Sequence, residues 1–358
     1  MVDWLSSMQQ TYEYYVVDPG TWRDTKQINN VKSCTITRDS SVATLGSAVF
    51  EVTESIGECY VRVYLVTIQN GSKTRHPLGT FLVQTPSSSF NGKVKGVSMD
   101  AYTPLLELKE KQPPIGYYIP SGTNIMTTAY QLVRDYARAP SVEASCETNL
   151  YNNFIAETND TWLTFVTDLI ANAKYKFDLD EMGRILFSPE QDTASLQPVW
   201  TYSDDNSSIL HPEFSLDHDL YGIPNVVEVI YSTDRVNVHT RAVNDDENSP
   251  ISTINRGREV VQRVTDPSLT IDPDANFEFV ENQLKEYATQ LLRALSTLEY
   301  TVNYTHGYCP VRVGDCVRLN YSRAGMTNTK AKVVSQSIKC TPGCPVTEKA
   351  VFTAKLWG

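Results

Sequence analysis

The sequence predicts an α+β fold that is predominantly β, with β-rich segments at both ends and a small α/β segment between them. Runs of β-branched and aromatic residues fill the first hundred positions and return after about residue 226. In the middle, apolar residues recur at helical spacing instead. The chain has 358 residues, enough for two or three domains, and its 41% apolar and 20% charged residues are a globular balance.

Strand-like runs occupy residues 31–38, 48–52, 59–69, 77–84 and 93–99. The third run ends at Asn70-Gly71, a dipeptide that strongly favours a two-residue β-hairpin turn. We therefore expect a hairpin whose turn is formed by Asn70 and Gly71. The first thirty residues are rich in aromatic side chains, for which we expect a local core; an arm that reaches a neighbouring subunit is the alternative.

The middle segment predicts two helices and a small hairpin. Residues 123–138 and 160–173 each place their apolar side chains on one stripe. Ser121 or Thr123 is expected to cap the first helix, and Asn159 or Asp160 the second. The hairpin is expected where the second helix ends, with strands at residues 174–178 and 184–188.

The last segment returns to strands after a polar, loop-like stretch at residues 198–211. A long helix is expected at about 277–296, capped by Asp272 or Asp274. The predicted strands are residues 226–231, 236–243, 258–264, 298–304, 316–321, 330–339 and 346–356, the first two joined by a turn at 232–235.

Charge and hydropathy exclude several classes of protein. The net charge is −11 and no long segment is basic, whereas a protein that grips nucleic acid needs clustered Lys and Arg. There is no run of about 18 apolar residues, so we expect no membrane-spanning segment. The first residues lack a basic region followed by an apolar stretch, so no secretory signal is expected.

No catalytic residue is predicted, and we expect that the protein is not an enzyme. The glycine patterns of nucleotide-binding loops and of the serine nucleophile turn are missing from the sequence. The densest His/Asp group has no recognised metal-ligand spacing, and a solvated loop is the favoured interpretation; it consists of His211, Asp217, His218 and Asp219. Acidic pairs at residues 178–181 and 245–247 are typical of exposed turns.

Four of the seven cysteines crowd into the last fifty residues: Cys309, Cys316, Cys340 and Cys344. Neighbouring strands can bring four thiolates together for zinc or an iron–sulfur cluster. The spacing is looser than a zinc knuckle requires, and a cysteine on a buried strand acts as a small hydrophobe. We therefore expect no cofactor and keep a four-cysteine metal site as the alternative. The odd number of cysteines also favours synthesis in a reducing cytoplasm.

The order of local patterns resembles the phage tail hub family, also called baseplate hub or tail-tip hub proteins. The resemblance covers most of residues 30–358, although the first thirty residues and the C-terminal cysteine group have no counterpart in it. It is carried by residues 33–38 (SCTITR), 77–83 (PLGTFLV), 123–138, 160–163 (DTWL), 180–189 (DEMGRILFSP) and 311–319 (VRVGDCVRL). In the last of these segments, the resemblance implies that Gly314 and Asp315 turn the chain and lead into a strand.

The resemblance implies a homotrimer whose chains each carry two tube-like β-barrel domains, so that three copies form a ring of pseudo-sixfold symmetry. The barrels would be residues 1–110 and 201–358, with the small α/β domain at 111–200 outside the ring. Such a ring joins the hexameric tail tube, or a distal tail protein ring, to a central spike or fibre.

The same resemblance places the protein at the virion tail tip, with the tape measure protein as a further partner and synthesis in the host cytoplasm. DNA would pass through the ring without specific binding, and the acidic net charge agrees with this because carboxylates repel phosphates. Two alternatives remain: a tail-associated peptidoglycan hydrolase, and a receptor- or glycan-binding tail module whose 20 tyrosines supply stacking surfaces.

Overall fold

The structure is a computed structural model that describes residues 2–92, 94–205, 208–232, 237–265 and 277–357. Strands account for 47% of it and helices for 16%, which confirms the predominantly β prediction. The chain divides into two compact units: a first unit, Met1–Phe214 with Asn303–Ala350, and a second unit, Ser215–Val302 with Val351–Gly358. These units are defined by compactness, and the three domains at 1–110, 111–200 and 201–358 stay a prediction.

Seven strands form the N-terminal part of the first unit. Residues 9–28 form two of them, which the sequence did not predict because polar residues interrupt their apolar pattern. Tyr14 is buried in the sheet core, and Trp4 and Tyr12 pack against that core, which also contains Ile338 and Val346 from the C-terminal strands. The strands are β1 (Gln9–Val17), β2 (Asp24–Ile28), β3 (Val31–Asp39), β4 (Gly46–Val52), β5 (Cys59–Gln69), β6 (Ser72–Asn91) and β7 (Val94–Tyr102).

The turn between β5 and β6 has two residues. Gln69 pairs with Ser72, and the intervening Asn70 and Gly71 have φ of 50° and 77°. Two consecutive positive φ values define a type I′ turn, whose twist matches that of the flanking strands.

Strand β5 is buried on both of its faces. On one face Val61, Val63 and Leu65 pack into the sheet core. On the other face lie Tyr60 and Arg62, each only 1% exposed. A buried arginine needs acceptors for its guanidinium, and one of them, the carbonyl oxygen of Met182, comes from the small hairpin of the middle segment.

The middle segment packs as its own apolar cluster, in which Trp162 and Phe165 meet Ile125 and Val133. Both predicted helices are present, but their caps lie one to three residues later than expected, at Asn124 and Thr161. The elements are α1 (Leu106–Lys109), β8 (Tyr118–Ile119), α2 (Ile125–Tyr136), β9 (Phe154–Ile155), α3 (Trp162–Ala171), β10 (Tyr175–Leu179) and β11 (Ile185–Pro189).

The polar stretch at 198–211 is not all loop, because β12 (Trp200–Ser203) pairs in parallel with a later strand. Four residues are too short to show a strand pattern in sequence. The partner of β12 is β18 (Cys316–Tyr321), which begins directly after the turn made by Gly314 and Asp315. Gly314 has φ of 96°. The remaining elements that reach into the first unit are β13 (Leu210–His218), β17 (Thr297–Gly307), β18 (Cys316–Tyr321), a 3-10 helix (Ser322–Ala324), β19 (Met326–Lys339) and β20 (Pro345–Lys355).

The second unit packs a long helix on a three-stranded sheet in the order β15-β14-β16. Its elements are β14 (Val226–Ser232), β15 (Asn237–Val243), α4 (Thr253–Arg256), β16 (Val261–Thr265) and α5 (Phe277–Leu295). β14 is antiparallel to β15 and parallel to β16. Most of the predicted turn at 232–235 and both predicted caps, Asp272 and Asp274, lie outside the described residues.

The main sheet of the first unit runs in the order β19-β3-β4-β7-β6-β5-β1-β2, with β18 also paired to β19. The C-terminal β19 thus pairs with the N-terminal β3, so that both ends of the sequence share one sheet. In the described ranges the strand pairings form no closed barrel. Nor does any helix in those ranges have the length and apolar character needed to cross a membrane.

Candidate functional site

The tip of the β10–β11 hairpin, residues 180–183, is held by three arginines from outside the middle segment. We call Arg38, Arg62, Arg312 and this tip the hairpin clamp. Arg38 comes from β3 and Arg62 from β5, whereas Arg312 precedes β18. The clamp therefore ties the middle segment to N-terminal and C-terminal strands of the first unit.

Arg62 binds the backbone of the tip. Its Nη2 donates to the carbonyl oxygen of Met182 at 3.1 Å, and the indole Nε1 of Trp22 donates to the same oxygen at 2.8 Å. The Nη1 of Arg62 also lies 2.5 Å from Oδ1 of Asp24. Its Nε donates to the hydroxyl of Thr80 at 2.9 Å. Because the guanidinium is buried, these acceptors replace the water that it loses.

The tip approaches β6 so closely that glycine is required at position 183. Gly183 has φ of +75°, and a Cβ on it would lie 2.6 Å from the Cβ of Thr80. Real carbon atoms do not approach so closely, and a side chain at this φ is strained in any case. The glycine therefore allows the hairpin tip to seat against the strand.

Arg312 and Arg38 bind the acidic side chain of the tip. The Nε of Arg312 lies 2.8 Å from the Oε1 of Glu181, and the Nη2 of Arg38 lies 3.7 Å from the same oxygen. Burial works to lower the pKa of Arg312, but the negative charges of Glu181 and Asp178 outweigh it, and the pKa is raised. Arg312 thus stays charged in the clamp.

A cavity of about 590 Å³ lies beside the clamp within the first unit. Its wall mixes apolar side chains such as Leu78 and Val199 with the charged groups of Asp39, Lys332 and Asp315. Burial raises the pKa of Asp315, whose Oδ2 accepts from the Arg312 backbone N–H at 2.8 Å. The mixed polar and apolar lining defines no single class of ligand.

A second group of polar side chains is buried in the C-terminal part of the first unit. We call it the buried polar network. Its centre is Glu348, whose Oε2 accepts from the hydroxyl of Tyr304 at 2.7 Å and whose Oε1 lies 3.2 Å from Nε2 of His306. Both His306 and Glu348 are essentially without solvent exposure. The members are Tyr202, Tyr304, His306, Cys309, Gln336 and Glu348.

The network holds a buried ion pair. Burial alone would lower the pKa of His306, but its contacts with Cys309 and Glu348 raise it to about 10. Burial acts in the opposite sense on Glu348, and the hydrogen bond from His306 overcomes it, so that the pKa of the carboxyl is lowered. The protonated imidazole and the carboxylate therefore stabilise one another.

Gln336 joins the network to the clamp. Its Nε2 donates to Oε1 of Glu348 at 2.6 Å, while its Oε1 accepts from Nη1 of Arg38 at 3.2 Å. Arg38 then reaches Glu181 at the hairpin tip. These contacts connect side chains of β3, β17, β19 and β20.

The four candidate cysteines fall in three places. Cys340 and Cys344 share the sheet core with Cys34. Cys309 lies 3.2 Å from the Tyr202 hydroxyl, and Cys316 lines the cavity from β18. Among the described residues, no group of three or more His, Cys, Asp or Glu side chains is arranged to hold a metal ion.

The other residues singled out in the sequence are placed as follows. Gly314 and Asp315 make the turn before β18, where they exchange backbone hydrogen bonds with Val333 at 2.8 and 2.9 Å. His211, Asp217 and His218 lie on β13 and not in a loop, so the loop interpretation was wrong for these three residues. Asp219 follows that strand.

The sequence analysis did not find the clamp arginines or the buried polar network. Arg62 carried a usable signal, because it is the one charged residue in the apolar run of β5, CYVRVYLV. His306 and Glu348 carried none, since each lies in an ordinary alternating strand and their pairing depends on how β17 and β20 meet.

The fold is similar to that of phage tail proteins. A tail protein from Neisseria meningitidis MC58 matches with a TM-score of 0.61 and 12% identity, covering 96% of each chain. The 43 kDa tail protein of prophage MuSo2 from Shewanella oneidensis matches with a TM-score of 0.59 and 10% sequence identity, covering 95% of this chain and 98% of that one. A chain of the Francisella PdpA-VgrG complex matches with a TM-score of 0.57 and 8% sequence identity. The match covers 96% of this chain and 58% of that one.

No protein-family model matches the sequence, and neither does any curated protein. At these low identities the structural likeness is one of fold. At that level the resemblance to the phage tail hub family is confirmed.

Proposed function

We propose that the protein is a structural component of a phage or phage-like tail, and that it forms the hub at the tail tip. The observation that carries this proposal is the fold shared with two tail proteins over at least 95% of both chains. A match of whole chains supports a common architecture more strongly than a match of one domain does. The tail-tip location and synthesis in the host cytoplasm belong to the same proposal.

In the proposed assembly, three copies form a ring. Each contributes two tube-like β-barrel domains, residues 1–110 and 201–358, so that six similar domains surround one axis. The ring meets the hexameric tail tube or a distal tail protein ring on one side and a central spike or fibre on the other, with the tape measure protein as a further partner. β2 ends the sheet order among the described residues, which leaves it available for pairing between subunits.

The charge of the chain supports passage of DNA without binding. With a net charge of −11, the protein lacks the basic excess that holds phosphates. We propose that acidic side chains line the bore of the ring and repel the DNA that moves through it. The hairpin clamp and the buried polar network support this role by fixing the strands of the first unit against one another.

Mass measurement in solution followed by particle imaging tests the assembly. We expect a three-chain particle with a central opening, either free or on purified tail tubes. A chain that stays monomeric at high concentration and adds no density to tail tubes would contradict the hub proposal. A peptidoglycan zymogram and a glycan array test the two alternatives; a cleared band would favour the hydrolase, and glycan binding the receptor module.

We also propose that the protein has neither catalytic activity nor a bound cofactor. The candidate cysteines lie in three different surroundings, which supports their role as core residues. Elemental analysis of the purified protein tests the absence of a metal cofactor. Zinc or iron at one equivalent per chain would contradict it.

A further inference from the structure

Three buried cysteines lie together in the sheet core of the first unit. Cys34 is on β3, Cys340 directly follows β19, and Cys344 precedes β20. All three are free thiols. Cys34 is 1% exposed and Cys340 is 5% exposed, so bulky reagents reach neither of them in the folded protein.

Cys34 and Cys340 lie directly opposite each other on adjacent antiparallel strands. The last pair of the ladder is Lys339 with Thr35, so the next pair in register is Cys340 with Cys34. The backbone N–H of Cys340 donates to the carbonyl oxygen of Cys34 at 2.8 Å, which continues the ladder to this pair.

This placement satisfies the distance that a disulfide needs. Opposed residues of an antiparallel ladder have Cα atoms about 4.5–5.5 Å apart. Disulfides join Cα atoms about 4.4–6.8 Å apart. The neighbouring thiol of Cys34, followed by burial, raises the pKa of Cys340.

Cys344 is placed differently. It lies in the turn that joins β19 to β20, where its N–H donates to the carbonyl oxygen of Thr341 at 2.9 Å. Its thiol interacts with the hydroxyl of Tyr12. In the ladder it is Cys34, and not Cys344, that lies opposite Cys340, so the geometry points to Cys34 as its partner.

We propose that Cys34 and Cys340 form an oxidisable dithiol that a peroxide converts into a cross-strand disulfide. In the first step one thiol takes an oxygen atom from hydrogen peroxide and becomes a sulfenic acid, with release of one water. The second thiol then attacks the sulfenic sulfur, the S–S bond forms, and a second water leaves. Two electrons pass from the two thiols to the peroxide, and no other reactant is needed.

The bond would join β3 to β19, strands that lie near opposite ends of the sequence. A disulfide that closes so long a loop restricts the unfolded chain strongly. Oxidation is therefore expected to make the first unit more resistant to unfolding. The inference concerns the chain itself and does not depend on the proposed tail function.

Peptide mapping under non-reducing conditions tests the proposal. The full chain is treated with hydrogen peroxide, once folded and once during refolding from denaturant, and its free thiols are then alkylated. Trypsin releases Cys34 in residues 33–38 and Cys340 in residues 340–349, and the second peptide also contains Cys344. We expect these two peptides as one linked species, lighter than their sum by about 2 Da for the two hydrogens lost.

Serine variants assign the partner. The linked species is expected to persist in Cys344→Ser and in the control Cys59→Ser, and to disappear in Cys34→Ser and in Cys340→Ser. Thermal unfolding of each variant before oxidation verifies that it is folded. Thiols that remain fully alkylatable under both conditions overturn the proposal, as does a link that survives in Cys340→Ser or a bond between Cys340 and Cys344.

Discussion

The guanidinium of Arg312 lies 2.8 Å from the carboxylate of Glu181, and this ion pair joins the turn before β18 to the tip of the β10–β11 hairpin. The Nη2 of Arg38, a residue of β3, also lies 3.7 Å from Oε1 of Glu181. One carboxylate therefore connects three stretches of sequence that are far apart. The tip of the small hairpin thus contacts residues from both the N-terminal and the C-terminal parts of the chain.

Replacement of Arg312 by alanine is expected to destabilise the first unit. The change leaves Glu181 and Asp178 without their closest cation, and a lost hydrogen bond to a charged group costs about 1.5–3 kcal/mol. Urea unfolding followed by circular dichroism measures the free energy of unfolding. Arg134→Ala is the control, because Arg134 is an exposed arginine whose Nε lies 3.7 Å from Oδ1 of exposed Asp135 and whose guanidinium lies over the Tyr130 ring. A loss in Arg312→Ala no larger than in this control would contradict the clamp.

Gly183→Ala is expected to cost more than an ordinary glycine substitution. A side chain at positive φ costs about 1–2 kcal/mol, and here the new Cβ also meets Thr80. Gly116→Ala provides the matched control, since Gly116 has φ of +79° and no neighbour within 4 Å of the added carbon. Thermal melting compares the two variants. Equal shifts in Tm would show that the hairpin tip does not press on β6.

The His306–Glu348 pair predicts a specific dependence of stability on pH. The folded pKa of His306, about 10, lies above its ordinary 6.5, so the native state holds the proton more tightly than the unfolded chain does. The stabilisation is therefore complete below pH 6.5 and is lost as the pH rises toward 10. Glu348 acts in the opposite direction: its pKa is lowered from 4.5, and its contribution is lost as the pH falls through the lowered value.

Urea unfolding of the wild type and His306→Asn across this range isolates the effect. We expect the difference in unfolding free energy to be largest near pH 6 and to shrink toward pH 10. The other groups that face His306 are Tyr202, Tyr304 and Cys309, and they remain in both proteins. A difference that does not change with pH would mean that His306 is neutral in the folded state.

Thr161→Ala is expected to weaken α3 at its N-terminus. The Thr161 hydroxyl accepts from the backbone N–H of Thr164 at 3.2 Å, and the Thr164 hydroxyl accepts in return from the N–H of Thr161 at 2.9 Å. Loss of an N-cap costs about 1 kcal/mol. Thr167→Ala serves as the control, because the Thr167 hydroxyl only donates to a carbonyl within the same helix. Unfolding of the two variants at the same urea concentration would refute the capping role.

The sequence by itself determined the elements that depend on local patterning. The Asn70-Gly71 turn, the amphipathic stripes of α2 and α3, and the alternation of β3 and β4 follow from residues that are neighbours in the chain. Buried and exposed positions repeat with the period of each element, and a run of ten residues is enough to show it. The order of these patterns also indicated the tail-protein fold.

Tertiary structure decided which distant residues meet. Arg62 reaches Met182, His306 pairs with Glu348, and Cys34 faces Cys340 only because segments that are distant in the sequence enter one sheet or pack beside it. Long-range pairing is set by the register of whole strands and by the packing of the core, and neither is encoded within a short window of sequence. The physical reason is that a charge or a thiol has the same local signature whether its partner is water or a residue three hundred positions away.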